Sequence, residues 1–274
     1  MSADLSWFDT EDGRLAYRDL GAGHPLVLLH AGFLDHHMWD HQIPPLAARY
    51  RVIAPDARGH GTSANASRPF RHTDDLAALL RHLGVGPAFL VGVSMGASIA
   101  VDTALEHPDL VRALVVTGAG TSEPEFTDPW TVTAFGAMTA AMATGDLEGA
   151  IDACTLFAAG PYRTLDDVDP DVVRRVREME RRTMSKHTAD ESDPLIPVPD
   201  TWARAAKITA PLLAVNGGLD SPDHIGMAER LAGLVVHGSR ATVEDTAHYP
   251  NLERPGVYLE ILLSFLDTLT HPQD

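Results

Sequence analysis

A serine between two glycines, a late-loop histidine and an aspartate lying between them in the chain are the residues best suited to chemistry here. Gly92-Val93-Ser94-Met95-Gly96 follows a short apolar run at 89–91 and precedes Ala97, Ser98, Ile99, Ala100 and Val101, which suit a helix. A serine on such a strand-to-helix corner has the nucleophile-elbow pattern. The spacing is dictated by sterics, because neighbouring backbone passes so close to the corner that a Cβ at either glycine would collide. The strained corner lifts the hydroxyl out of the sheet, where a base can reach it. A serine hydroxyl is a weak nucleophile at neutral pH and needs a base that is itself oriented by an acid.

Among 14 histidines, His248 is the expected base. It lies in Asp245-Thr246-Ala247-His248-Tyr249-Pro250, after a strand predicted at 240–244 and before the last helix. Asp220 is the expected acid, since it follows a strand predicted at 212–215 through Asn216-Gly217-Gly218-Leu219. Of its rivals, Asp223 suits a helix N-cap, and Asp245 is too near His248 in sequence to approach the ring easily from beneath. Acyl chemistry also needs N–H groups aimed at the developing oxyanion. Met95, at the start of the elbow helix, and Phe33, in His30-Ala31-Gly32-Phe33, are the expected donors. His30, beside that loop, and Trp130 and Met138 further on are expected to line the substrate pocket.

The elements that must position these groups alternate in type. An Asp-Gly turn signal between Trp7-Phe8 and Leu15-Ala16-Tyr17 predicts an antiparallel pair at a sheet edge. Buried strands are predicted at 26–29, 51–54, 89–91, 113–117, 212–215 and 240–244. Helices are predicted between them, at about 38–48, then around Leu76, Leu79, Leu80 and Leu83 with Thr73 as N-cap, then after Ser94, near 224–231 and at 255–269. Such alternation builds a parallel sheet by right-handed crossovers. It breaks between 121 and 207, where only helical patterns occur, at about 128–144, 147–158 and 171–187. We therefore expect a core domain from residues 1–120 and 208–274, with 121–207 inserted as a helical lid over the C-terminal ends of the strands. Phe126, Trp130, Phe135, Met138, Met142, Phe157 and Trp202 are mostly lid core in this reading, with a minority facing Ser94.

Composition bounds the function. The 274 residues carry a formal charge of −17 and are 45 % hydrophobic, as in an ordinary globular chain. That charge opposes nucleic-acid and anionic-membrane binding and leaves a small-molecule substrate as the expected partner. No secretory signal or membrane span is predicted, and the single cysteine, Cys154, fits a reducing, cytoplasmic setting. His36, His37 and His41 lack the accompanying ligands of a zinc site and read as solvated surface, with lining of the pocket mouth beside the His30 loop as the alternative. The run Arg174, Arg175, Arg177, Arg181 and Arg182, interleaved with glutamates, reads as a solvated helix face. No metal and no cofactor is expected.

The chain resembles the α/β-hydrolase fold superfamily over roughly residues 7–269. The resemblance is carried by the Ser94 elbow, Asp220, His248, the His30 loop, and Asp56 to Ser63, which is similar to the family's Asp-x-Arg-Gly-x-Gly-x-Ser stretch. Ala31 departs from the family's frequent His-Gly. The nearest likeness is to lid-bearing lactonases, esterases and cofactor-free haloperoxidases. Dehalogenases and epoxide hydrolases of this fold use an aspartate nucleophile, a chemistry that Ser94 excludes. The resemblance implies a serine hydrolase of esters, lactones or thioesters. The same triad also serves carbon–carbon bond hydrolysis, and the fold also serves a few ligand receptors.

Overall fold

The computed structural model describes residues 5–191 and 194–270. Eight strands form one sheet: β1 Ser6–Thr10, β2 Gly13–Leu20, β3 Pro25–Leu29, β4 Arg51–Pro55, β5 Ala88–Val93, β6 Val111–Thr117, β7 Leu212–Gly217 and β8 Gly238–Val243. Their order is β1-β2-β4-β3-β5-β6-β7-β8. The β1–β2 and β2–β4 pairings are antiparallel and all the others parallel. The predicted hairpin is therefore the edge of a mostly parallel sheet.

The helices are α1 Ile43–Ala47, α2 His72–His82, α3 Met95–Glu106, α4 Pro129–Thr144, α5 Leu147–Thr155, α6 Pro170–Met184, α7 Thr201–Ala205, α8 Pro222–Leu234, α9 Pro250–Glu253 and α10 Pro255–Thr270. Alternation along the strands divides the core between the two faces of the sheet. Leu26 and Leu28 point with Val91, Val93, Val115 and Val215 toward α1 and α10. Val27 and Leu29 point with Leu90, Leu114 and Val116 toward α2, α3 and α8. All six residues of β5 and of β7 are buried. Side chains of this size each contribute roughly 1.5–3 kcal/mol when buried.

Three local expectations are corrected. The helix predicted at 38–48 is a 3-10 turn at His36–Trp39 followed by the short α1, whose first turn holds Pro44 and Pro45. Proline's missing N–H costs nothing at that position. Thr73 is not a cap, because α2 begins at His72 with Arg71 as its N-cap residue. Asp223 does not cap α8 either. Ser221 does, its side chain accepting from the His224 N–H. Asp223 instead accepts the N–H groups of Thr127 and Asp128 at 2.8 Å each.

Between β6 and β7 the described residues form α4 to α7 and short 3-10 turns, with no named strand. A satellite apolar cluster of Met138, Ala141, Ala150, Ile151, Cys154 and Met184 holds α4, α5 and α6 together. Ion pairs tie this insertion to the rest: Arg182 to the buried Asp35 at 2.6 Å and Arg163 to Glu253 at 2.8 Å. The arginine-rich face of α6 is largely solvated, but Arg182 reaches Asp35 on the loop after β3 and Arg175 donates to the His37 carbonyl. Among the described residues, no helix is long and apolar enough to cross a membrane.

Candidate active site

The corner after β5 is as tight as its glycines imply. Ser94 has φ 51° and ψ −116°, a region that side chains rarely occupy. A Cβ on Gly92 would lie 2.2 Å from the Gly96 carbonyl oxygen, and one on Gly96 would lie 2.2 Å from that of Leu29. The Ser94 N–H is anchored on the Thr117 carbonyl at 2.7 Å, which leaves the side chain facing a cavity of about 620 Å³ at the C-terminal ends of the strands. Its walls are mostly apolar.

Asp220 and His248 come from the loops after β7 and β8. His248 Nδ1 donates to Asp220 Oδ2 at 2.8 Å, and both residues are buried. Burial alone would push the Asp220 carboxyl up, but His248 and His224 outweigh it and hold the group well below the usual carboxylate range. An ionised carboxylate only accepts, so the proton sits on Nδ1 and Nε2 is left with a free lone pair. Burial lowers the His248 pKa, opposed by the Asp220 charge and assisted by His224, and the net shift is downward. The ring is therefore neutral at pH 7, as a general base requires.

Gly118, just past β6, makes room for this pair. It has φ 62°, and a Cβ there would lie 2.7 Å from His248 Cε1 and 3.2 Å from Asp220 Oδ2. Phe33 (φ 61°) and Met95 also line the cavity. The first lies on the loop after β3, the second at the N-terminus of the twelve-residue α3. Gly32 lies beside Met95, its Cβ position 3.7 Å from Met95 Cβ, an ordinary contact. Two residues lining one cavity, one of them at a helix N-terminus, could offer N–H groups to a developing negative charge.

Ser94, His248, Phe33, Met95 and Met138 thus share the cavity, with Asp220 behind His248. Two of the expected pocket residues do not. His30 is buried beneath the loop, its Nδ1 donating to the Ala31 carbonyl at 2.8 Å and its Nε2 accepting the Ala57 N–H at 2.9 Å. Burial lowers its pKa, so it is a neutral bridge between two loops. Trp130 packs edge-on against Phe157 at 5.3 Å between centroids. It lies five positions before Phe135, about 140° around α4 at 3.6 residues per turn, so Phe135 faces the cavity when Trp130 does not. Trp202 is turned away too, its indole N–H donating to the Glu123 carbonyl at 2.7 Å. Phe126, Phe135, Met138, Met142 and Phe157 all line the cavity, a majority of the large insertion residues rather than a minority.

Asp56 accepts His36 Nδ1–H at 2.7 Å, the His36 N–H at 2.8 Å and the Thr62 N–H at 2.9 Å. Burial pushes its carboxyl up, but these partners, His36 foremost, hold it far below the usual range. The stretch 56–63 is thus a buried brace, and His36 is part of it rather than solvated. His37 is exposed and paired with Asp40.

Three buried polar groups of the site had no strong sequence signal. His224 lies over His248 with 4.2 Å between ring centroids, and its Nδ1 is 3.3 Å from Asp220 Oδ1. The i,i+4 spacing from Asp220 was its only trace. Asp102 lines the cavity from α3. Glu180, on α6, lies behind the cavity-lining Cys154, and burial pushes its carboxyl up to about 7. Two clusters bring His and Asp ligand atoms within 4.8 Å of one another, Asp35–His36–His37 and Asp220–His224–His248. In the first, Asp35 already engages Arg182 and the His37 N–H. In the second, the hydrogen bonds are those of an acid holding imidazoles.

This sheet, with its crossover helices and its serine corner beneath a helical insertion, defines a class. The alpha/beta hydrolase fold family matches residues 24–255, and the chain belongs to it. A soluble epoxide hydrolase from a Corynebacterium species is 37 % identical over 106 residues, which is 38 % of this chain and 37 % of that protein's length. The chain therefore matches well under half the length of that curated relative. A solved N-acyl homoserine lactone degrading enzyme is 26 % identical, with a TM-score of 0.77 over 95 % of this chain and all of that one. A thermophilic esterase from Thermogutta terrifontis is 22 % identical, with a TM-score of 0.79 over 97 % of this chain and 99 % of that one, and shares the fold.

Proposed function

We propose that this chain is a serine hydrolase that cleaves a carboxylic ester, lactone or thioester with an apolar portion. The observation that carries the reading is the buried 2.8 Å His248–Asp220 pair, whose His248 shares the cavity wall with a strained Ser94. Ser94 Oγ attacks the carbonyl carbon as His248 Nε2 takes its proton. Asp220 holds the ring's orientation and stabilises the imidazolium. The N–H groups of Phe33 and Met95 receive the oxyanion. Collapse expels the alcohol or thiol, which takes the proton from His248, and water activated by the same ring releases the acid. The lactone degrader at 26 % identity supports ester-type chemistry, and the apolar walls suit a hydrocarbon portion.

Residues 121–207 act as a lid in this proposal, on a core of 1–120 and 208–274; residues 1–4, 192–193 and 271–274 of these spans lie outside the described residues. The test is hydrolysis of p-nitrophenyl esters and acyl lactones by wild type and Ser94→Ala. Turnover should fall by at least about 10³-fold in the variant, with its circular dichroism spectrum unchanged. Equal activity in the two proteins would refute the role of Ser94. Turnover of a diketone but of no ester would favour carbon–carbon bond hydrolysis.

A further inference from the structure

The cavity does not end at the reacting groups. Met95, Ser98, Ile99 and Asp102 all line it, and their i, i+3, i+4, i+7 spacing makes them one face of α3. Seven residues at 1.5 Å per residue carry that face about 10 Å from the oxyanion donor at Met95 to Asp102. Asp102 is only 5 % exposed, and its Oδ1 has no hydrogen-bond partner among the described residues. The neighbouring Ser122 also lines the cavity with a buried, unpartnered hydroxyl. A buried carboxylate oxygen without a donor is costly. No arginine, lysine or histidine of the described residues forms an ion pair with it, and Arg71, on the same wall, is engaged by Glu106 at 3.3 Å.

We propose that Asp102 and Ser122 form a distal subsite for a hydrogen-bond donor, a hydroxyl or protonated amine, carried on the substrate's acyl chain about 10 Å from the carbonyl at Ser94. This rests on the hydrolase reading above. The acyl side is assigned because the leaving oxygen must face His248, which enters from the β8 side, whereas α3 packs on β5, β6 and β3. At about 1.2 Å per chain atom, the span takes about eight atoms. Burial pushes the Asp102 carboxyl up to about 6, with Glu106 and Glu123 adding to the shift. The side chain and backbone of Ser122 moderate the shift, while Asp102 Oδ1 and the Ser122 hydroxyl are left without partners among the described residues. Above that pH the ionised carboxylate binds a donor more strongly than a neutral acceptor does.

The test compares p-nitrophenyl octanoate with p-nitrophenyl 8-hydroxyoctanoate on the full chain, as wild type and as Asp102→Leu. Wild type should prefer the hydroxy ester in kcat/KM, and the ratio should fall at least about tenfold in the variant. Calorimetric binding of octanoic and 8-hydroxyoctanoic acids reads the same preference without turnover. An unchanged ratio in both measurements overturns the subsite. Loss of p-nitrophenyl acetate hydrolysis in wild type, with the binding preference intact, would instead refute the hydrolase reading and leave the subsite standing.

Discussion

His224 packs against His248 with 4.2 Å between ring centroids and the rings tilted by 40°, and both imidazoles address Asp220. His248 takes one carboxylate oxygen at 2.8 Å, and His224 stands 3.3 Å from the other while its Nδ1 lies 2.8 Å from the Ser221 hydroxyl. His224 thereby lowers the His248 pKa. In the proposed mechanism the active form of His248 is neutral, so activity should be lost as the pH falls through its pKa. In His224→Gln that pKa rises, and the acid limb of the kcat/KM profile should move to higher pH. A limb that stays in place would reduce His224 to packing.

Gly118→Ala tests the space beneath the imidazole. The added Cβ would stand 2.7 Å from His248 Cε1 on a backbone at φ 62°. Either the ring shifts or the loop does. A displacement of this order costs about 10²-fold in kcat, with roughly 1–3 kcal/mol of stability lost to the left-handed backbone. Steady-state kinetics and urea unfolding measure the two separately. Loss of stability with full kcat would mean the loop, not the ring, absorbs the clash.

Met138 and Trp130 should separate cleanly. Met138→Ala enlarges the cavity wall and should change KM and chain-length preference across a series of esters. Trp130→Ala should lower stability by about 2 kcal/mol and leave that preference alone, because its ring rests on Phe157 outside the cavity. A changed preference in the Trp130 variant would contradict the rotation of α4 described above.

Glu180 should make stability depend on pH. Its Oε2 accepts the Thr155 hydroxyl at 2.6 Å, its Oε1 has no partner among the described residues, and burial pushes its pKa up to about 7 from 4.5. Its folded form binds the proton more tightly than its unfolded form, so its stabilising contribution is full below pH 4.5 and is lost as the pH rises through 7. The neutral variant Glu180→Gln should therefore gain on wild type in Tm between pH 5 and pH 8, by a few degrees. A Tm difference that does not change with pH would show that the carboxyl titrates normally.

How much of this was legible depended on how local each cause was. The Gly92 and Gly96 spacing around Ser94 reports a steric requirement of one turn, and the corner has the backbone that requirement implies. The runs at 89–91 and 212–215 reveal strands covered on both faces, because burial on both sides removes the need for polar alternation. The absence of strand patterns between 121 and 207 likewise matches helices from α4 to α7. Thr73 and Asp223 misled because several residues near a helix start can cap it, and only the chain's path into the helix selects one.

The sequence by itself determined the serine corner, the alternating sheet and helices that carry it, and the loops that deliver Asp220 and His248. Each is written in spacings of a few residues and in local backbone sterics. Tertiary structure alone decided what faces the cavity. His30 turned inward to bridge two loops, Trp130 rotated onto Phe157, and Asp102 and His224 were brought to the cavity wall. Those outcomes depend on how each helix is rotated against the sheet and on contacts between residues far apart in the chain, which short spacings do not encode.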